Sequence, residues 1–436
     1  MKRALRDQIE FRSASLDQWI PKDHRVRAVW AYVESLDLSP RSEQIQAVEG
    51  GVGRDAVDPK ILLALWMFAT MEAVSSARHL HRLTERALAY LWICGSVDLW
   101  GCGGVGVNYH LLRDFRTGQG DVLDPVLTDT IATRIHQNIV TLETVAQDGR
   151  RVRAHAGSGS FRRQKTREEC RTEAAQQVRQ RREARDDDSS HEARDRRRQA
   201  AAQRAATERL QRVEEALQNL AELRQQQEQR KQGSGDAARC STTAPEARTR
   251  KRGDGGFRPA FNVPFATDGG DSRLIVAVEV TNNGSAGGQR APRHEHVAET
   301  DGKVPENDAV DGGFSTNEDL TQVEQRGRKV AAPMTHEDRI LKRDGDPHER
   351  RQGDRDEMAA FRERLRSADA KAVLKRRPSI AEFPNAECPN AECRNAECRH
   401  RGLRQFKVRG LDKVRTSTRW YVITGNFMRR RHLGVI

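Results

Sequence analysis

The spacing of apolar residues changes along the chain, and each change marks a different region. Up to about residue 140 apolar positions recur at helical spacing. Asp58-Pro59 opens one helix, with Asp as N-cap and Pro at the first position, and Ile61, Leu62, Leu65 and Ala69 form its apolar face. Ser75 and Ser76 offer caps for a second helix, with Leu80 and Leu83 inward and Arg78, His79, Arg82 and Arg86 outward. The stretch "ALAYLWICG" continues that core. Short capped helices with basic outer faces suit a helix-turn-helix-like DNA-binding unit, and equally an ordinary small helical domain. In "LETVAQDGRRVRAHA", residues 142–156, apolar residues alternate with polar ones, which predicts a strand, a tight kink at Asp148-Gly149 and a second strand.

Residues 162–232 are charged and rich in Arg, Gln, Glu and Ala, all good helix formers. Leu210, Val213, Leu217 and Leu220 fit a heptad seam of under two heptads, and "RDDDSSHEARD" reads as a turn, so a helical hairpin is expected rather than a long coiled coil. Residues 233–256 read as a Gly/Ser/Thr-rich linker. Strand signals follow in "FNVPFATD", in "RLIVAVEVTN" (Arg273 to Asn282), in a short run ending at Asp311 and in "RKVAAPM". Strands alternating with helices make this an α/β region.

Composition adds a partner class. Of 436 residues only 36% are hydrophobic while 32% are charged, so part of the length is solvated helix or disorder. The net charge of +13 is carried mostly by arginine and favours a polyanion, nucleic acid first. The longest apolar run, Ile61 to Ala69, is too short to span a bilayer, and "MKRALRDQIE" lacks an apolar signal core. A soluble cytoplasmic protein with no membrane partner is therefore expected. Seven cysteines, odd in number and unevenly placed, do not resemble a disulfide framework.

Three carboxylates are candidates for chemistry. Asp148 sits in "AQDG", Asp311 in "AVDGGF" after a short apolar strand, and Glu382 in "SIAEF" after a basic run. Acids at strand ends followed by Gly point into open space, and three of them can hold two divalent metals that activate a nucleophile and stabilise a leaving oxygen. Mg²⁺ suits such oxygen ligands. Taken alone, an Asp-Gly pair is equally a plain turn.

The neighbouring residues narrow the choice. "VAQDGRRVRAHAGSGSFRR", "STTAPEAR", "GGFRPAFNVPFATD", "VDGGF", "RGLRQFKVRGLDKVR" and "GNFMR" resemble the DDE-class transposases of bacterial insertion sequences, in the branch with a long charged helical insertion after the first catalytic strand. "DHRVRAVWAYVESLDLS", "DPKILLALW" and "VNYHLLRDFR" are similar to that branch's helical N-terminal domain, so the resemblance covers nearly the whole chain in order. It implies an all-α N-terminal DNA-binding domain over 1–140 and an RNase H-like α/β mixed-sheet catalytic domain over 141–436, interrupted by the insertion at 162–232. It further implies Asp148, Asp311 and Glu382 as catalytic and metal-binding acids for Mg²⁺ or Mn²⁺, with Arg377 as a nucleic-acid-binding residue. The reaction would be cutting of element ends by water, then strand transfer by the freed 3′-OH into target DNA, by a homo-oligomer on the DNA.

Departures from the family pattern are also plain. Leu374 stands where the family has tyrosine, Pro264 where Gln is expected inside a strand, Ala244 where Asp is expected, and Arg290 and Arg293 where apolar residues are usual. "LWICGSVD" is followed by its near copy "LWGCGGVG", which accounts for Cys94 and Cys102 without a metal. "AEFPNAECPNAECRNAECRH", residues 381–400, repeats a five-residue unit four times, and its excess over the family spacing matches about two units. Residues five apart on a helix are turned by about 140°, and on a strand they alternate faces, so neither form gathers Cys388, Cys393 and Cys398 as zinc ligands with His400. A tandem duplication explains the repeat, and the expected outcome is a looped-out segment. The alternative to an active transposase is a catalytically dead DNA-binding remnant.

Overall fold

The computed structural model describes residues 15–39, 56–96, 104–162, 164–186, 193–229, 238–251, 257–282, 305–311, 320, 328–334, 337–342, 345–382 and 403–435. Backbone contacts divide the chain into two compact units, Met1–Val122 with Arg430–Ile436, and Leu123–Arg429. Most of the five-residue repeat and residues 97–103 of the eight-residue one, with Arg290, Arg293, Cys102, Cys388, Cys393, Cys398 and His400, lie outside the described residues.

The first unit is helical among its described residues: α1 (Leu16–Trp19), α2 (Arg25–Glu34), α3 (Pro59–Met71), α4 (Ala77–Thr84), α5 (Leu88–Cys94) and α6 (Tyr109–Gly118). The Asp58 carboxylate accepts from Lys60 N at 2.7 Å and Pro59 opens α3, as expected of that pair. From Leu62 to Met71 every residue of α3 is buried, so the helix is the centre of the unit and not one amphipathic wall of it. Trp66 keeps its indole satisfied by donating to the Leu112 carbonyl at 2.9 Å. Ser76 caps α4, Leu80 is buried and Leu83 half-buried, and Arg78, His79, Arg82 and Arg86 are all exposed. Among the described residues no helix is long and apolar enough to cross a membrane.

The second unit is mixed α/β, built on a mixed sheet. Its strands are β1 (Thr144–Arg153), β4 (Arg248–Lys251), β5 (Phe257–Asp268), β6 (Ile275–Val278), β7 (Asn307–Ala309) and β8 (Lys329–Ala331), while β2 (Phe161–Arg162) and β3 (Cys240–Ser241) pair separately. The order is β4-β5-β1-β7-β8, with β6 also beside β5. β1 lies antiparallel to β5 and parallel to β7, and β7 is parallel to β8.

Two expectations are corrected here. Asp148-Gly149 makes no kink: β1 is one continuous strand, and its register with β5 runs unbroken from Val145↔Asp268 to Arg153↔Ala260. Gly149 instead leaves room for Asn262 of β5, whose Oδ1 would lie 3.0 Å from a Cβ there and would have to shift. The second correction concerns residues 233–256, where β3 and β4 are ordered strands and Cys240, Ala244 and Ala247 are buried. Small residues make that stretch read as linker, but their size is what lets it press against the sheet.

Pro264 sits inside β5 without breaking it. Its carbonyl accepts from Glu279 N at 3.3 Å, so its ring nitrogen faces the same side, between the Phe265↔Val278 pairing and the isolated Asn262↔Thr281 bridge. The missing donor therefore falls where the ladder is already interrupted.

Two helices, α8 (Gln164–Asp186) and α9 (Ala193–Gln229), pack on each other as the expected hairpin. Ala174 and Val178 are buried on one, and Val213, Ala216 and Leu220 on the other. Arg167 is fully buried at its base and donates to the carbonyls of Ala216 (3.1 Å), Cys240 (2.8 Å) and Arg162, pinning the hairpin to β2 and β3. The remaining helices are α7 (Gly120–His136), α10 (Glu337–Leu341), α11 (Asp356–Arg364), α12 (Ala368–Ala381) and α13 (Leu411–His432). Asn426 of α13 closes the edge of β6: its Oδ1 accepts from Ile275 N at 2.9 Å and its Nδ2 donates to the Ile275 carbonyl at 2.8 Å.

After the five-residue repeat the chain returns to the end of β1. Leu403 and Phe406 are buried, Phe406 N donates to the Arg153 carbonyl at 2.9 Å, and the Phe406 ring meets Phe261 edge-on at 5.9 Å. Residues 403–410 are thus held against the end of β1. Replacing Asn426 by Ala leaves both Ile275 backbone groups without this partner, and should lower the unfolding free energy by about 1–3 kcal/mol in urea titrations. An unchanged midpoint would show that the edge of β6 does not depend on this side chain.

Candidate active site

Alternate residues of a strand share a face, so Ala146 and Asp148 point to the same side of β1. In the parallel register Ala146 lies opposite Ala309 of β7. Both alanines pack against Ile380 and Ala381 at the end of α12, with Val373 alongside. Each partner in this small cluster leads directly to an acid. Asp148 lies two residues past Ala146, Asp311 two past Ala309, and Glu382 immediately after Ala381. Extended by two residues, the β1–β7 register sets Asp311 level with Asp148. Larger side chains at 146, 309 or 381 would hold the helix end off the sheet and move Glu382 away.

Asp148 is half-buried, and Asp311 and Glu382 are exposed at the rim. The Asp148 carboxyl is held above the usual carboxylate range, chiefly by burial. The charges of Asp311 and Glu382 push it further in that direction, while Arg377 and the Gly149 N–H pull it back. The three candidate acids are therefore electrostatic neighbours, although they come from three separate elements. Gly149 N donates to Asp148 Oδ1 at 2.9 Å. Glu382 is the C-cap of α12 in a right-handed conformation, and its N–H bonds the Pro378 carbonyl at 2.9 Å, so the helix carries through Pro378 as far as the acid.

Arg377 lies on the same helix, half-buried, and its Nη2 donates to the Gln147 carbonyl at 3.3 Å. It couples α12 to β1 beside Asp148 and supplies a positive charge there. On the opposite face of β1, Gln147 Nε2 donates to Asp308 Oδ1 at 3.0 Å, and both residues are fully buried. This polar tie locks β1 to β7 next to the two acids. Sequence reading did not single it out, although Asp308 at an odd step before Asp311 marks it as belonging to the other face. Arg376 was missed as well: its Nη2 donates to the Gly269 carbonyl at 3.0 Å. Gly269 permits the close approach, since a Cβ would lie 2.6 Å from the Thr144 carbonyl.

Three carboxylates offer only oxygen donors, the ligand chemistry that Mg²⁺ and Mn²⁺ prefer. Among the described residues no three His, Cys, Asp or Glu side chains are gathered as one ligand set. Burial chiefly, and the charges of Asp311 and Glu382 after it, disfavour the Asp148 carboxylate, and a divalent cation beside it would favour the charged form. The donor set fits such an ion. Cys94, by contrast, is buried with its thiol pushed up to about 12, which is unsuited to a zinc thiolate.

Residues 14–99 match the family model described as a transposase domain (DUF772). That match takes in α1 to α5 of the first unit and supports a transposase. It ends before β1, so the acids lie beyond it. No curated protein and no solved structure matches the chain.

The raised Asp148 pKa has a consequence for stability. Below about pH 4, the ordinary Asp value, folded and unfolded chains both hold the proton, and Asp148→Asn should melt like the parent. As pH rises the unfolded chain ionises first, so the parent loses stability relative to the variant until the folded-state pKa is passed. Thermal melts in EDTA should therefore show Asp148→Asn melting higher at pH 7.5 and converging with the parent at pH 4. A lower melting temperature for the variant at pH 7.5 would mean that the carboxylate stabilises the fold.

Proposed function

We propose that this protein is a DDE-class DNA transposase with an RNase H-like catalytic unit. The observation that supports the reading is that Asp148 of β1 feels the charges of Asp311, just past β7, and of Glu382, at the end of α12, each one or two residues from the same small contact. The mixed sheet supports it, with the first acid on the central strand and the second beyond its parallel neighbour. The transposase-domain match at residues 14–99 and the net charge of +13 support DNA as the substrate.

Asp148, Asp311 and Glu382 are the residues that would hold Mg²⁺ or Mn²⁺. Such ions, when bound, would activate the attacking oxygen and stabilise the departing one. The chain's own groups orient the acids. Gly149 N–H fixes one Asp148 oxygen, and Arg377 holds α12 against β1 while balancing the negative charge. The Gln147–Asp308 tie keeps the two strands in register behind them. Water would attack at the element end, and the freed 3′-OH would attack target DNA. Neither step needs a protein nucleophile. The family resemblance also implies action as a homo-oligomer on paired ends.

The test is cleavage of DNA carrying the element's own ends, with Mg²⁺ or Mn²⁺. Wild type should nick, and Asp148→Asn, Asp311→Asn and Glu382→Gln should each lower the rate by at least about 10³-fold, several kcal/mol of lost charge stabilisation. A chain lacking Ala386 to Asn395, two of the repeat units, serves as a further arm. Activity gained only on that excision would show that the duplication disables an otherwise intact site. Inert wild type, excised chain and mutants that all bind DNA would leave a DNA-binding remnant.

A further inference from the structure

The far end of β1 carries a second concentration of charge, away from the acids. Residues 404–409 are strapped to it: Arg153 N donates to the Arg404 carbonyl at 3.4 Å, Gln405 Nε2 to the Ala154 carbonyl at 3.1 Å, and Arg409 Nε to the His155 carbonyl at 3.2 Å. This strap brings Lys407 and Arg409 beside His155, and Arg409 in turn lies beside Arg212 of α9. Lys407 and Arg409 are exposed, and His155 is half-buried. The acid beside this group is Glu208, 3.5 Å from Arg212 Nη1 and itself largely solvated. Arg212 Nε is buried and has no hydrogen-bond partner among the described residues.

Like charges held together raise the free energy of the folded chain, and Glu208, solvated and facing Arg212 alone of the four, offsets only part of it, so the arrangement calls for an anion. Burial first, then Arg409 and Lys407, hold the His155 pKa below its ordinary value. Burial and Arg212 do the same for Arg409. The approach is open. Past His155 the loop Gly157–Ser160 holds only Gly and Ser, and a Cβ at Gly157 or Gly159 would meet nothing within 4 Å.

We propose that Arg212, His155, Lys407 and Arg409 form a sequence-independent seat for the phosphate backbone of duplex DNA, built jointly by the helical insertion, the end of β1 and the strap that follows the repeat. Along β1 the seat is roughly 20 Å from Asp148, about six base pairs of B-form duplex. A duplex reaching the acids would thus be gripped about half a helical turn away. The insertion then has a substrate-binding role that its solvated helical pattern does not announce. The inference rests on the transposase reading for its substrate, yet it is tested by binding alone.

The measurement is fluorescence anisotropy of the full chain on a mixed-sequence DNA duplex of about three helical turns, over a salt series. The triple variant Arg212→Gln, Lys407→Gln, Arg409→Gln should bind at least ten-fold more weakly near 100 mM salt and lose about 2 to 3 from the slope of log K against log salt. The charge-conserving variant Arg212→Lys, Lys407→Arg, Arg409→Lys should keep the parental slope. An unchanged slope in the Gln variant overturns the proposal, and that is also the result expected if the seat takes an acidic protein instead. Equal weakening in the charge-conserving variant overturns it too, because the effect would then be structural. DNA binding with the expected slopes but no cleavage would sink the transposase reading alone. Cleavage with unchanged slopes would sink the seat alone.

Discussion

The packing of Ala146 and Ala309 against Ile380 and Ala381 is the contact on which the candidate site depends. These side chains contribute little apolar area. Their value is that they are small, so a helix end can sit directly on two parallel strands. Asp148, Asp311 and Glu382 are each one or two residues from that contact and inherit its geometry. Reinforcement comes from both sides, through Arg377 on the Gln147 carbonyl and Gln147 on Asp308.

The same strand links this site to the rest of its unit. β1 is bordered by β5 and β7 and receives the strap of residues 404–409 at its far end. At its middle Asp148 feels the charges of Asp311 and Glu382, and past its end His155 feels those of Arg409 and Lys407. Burial first, with these like charges adding to it, raises the pKa of Asp148 and lowers that of His155. A negatively charged backbone accompanied by divalent cations would relieve both.

The repeated segment after Glu382 is bordered by ordered chain at both ends. On one side α12 reaches Glu382 in regular geometry, despite Pro378 within the helix. On the other, Leu403 and Phe406 occupy buried positions beside β1 and β5.

Much was legible in the sequence wherever a local rule applied. Asp58-Pro59 fixed a helix start, the charged stretch fixed a helical hairpin, and alternating apolar runs located β5 to β8. The three acids were visible through the motifs around them. What local rules could not supply was long-range pairing. Asp148-Gly149 reads as a turn, yet β5 holds it in an unbroken strand, because nine consecutive paired positions outweigh the turn preference of two residues. Residues 240–251 read as linker, yet their smallness fits them against the sheet. Arg167, Asp308 and the group around Arg409 look like ordinary solvated charges in the sequence. Only the tertiary structure shows them buried or brought together, since burial and charge proximity depend on segments far apart in the chain.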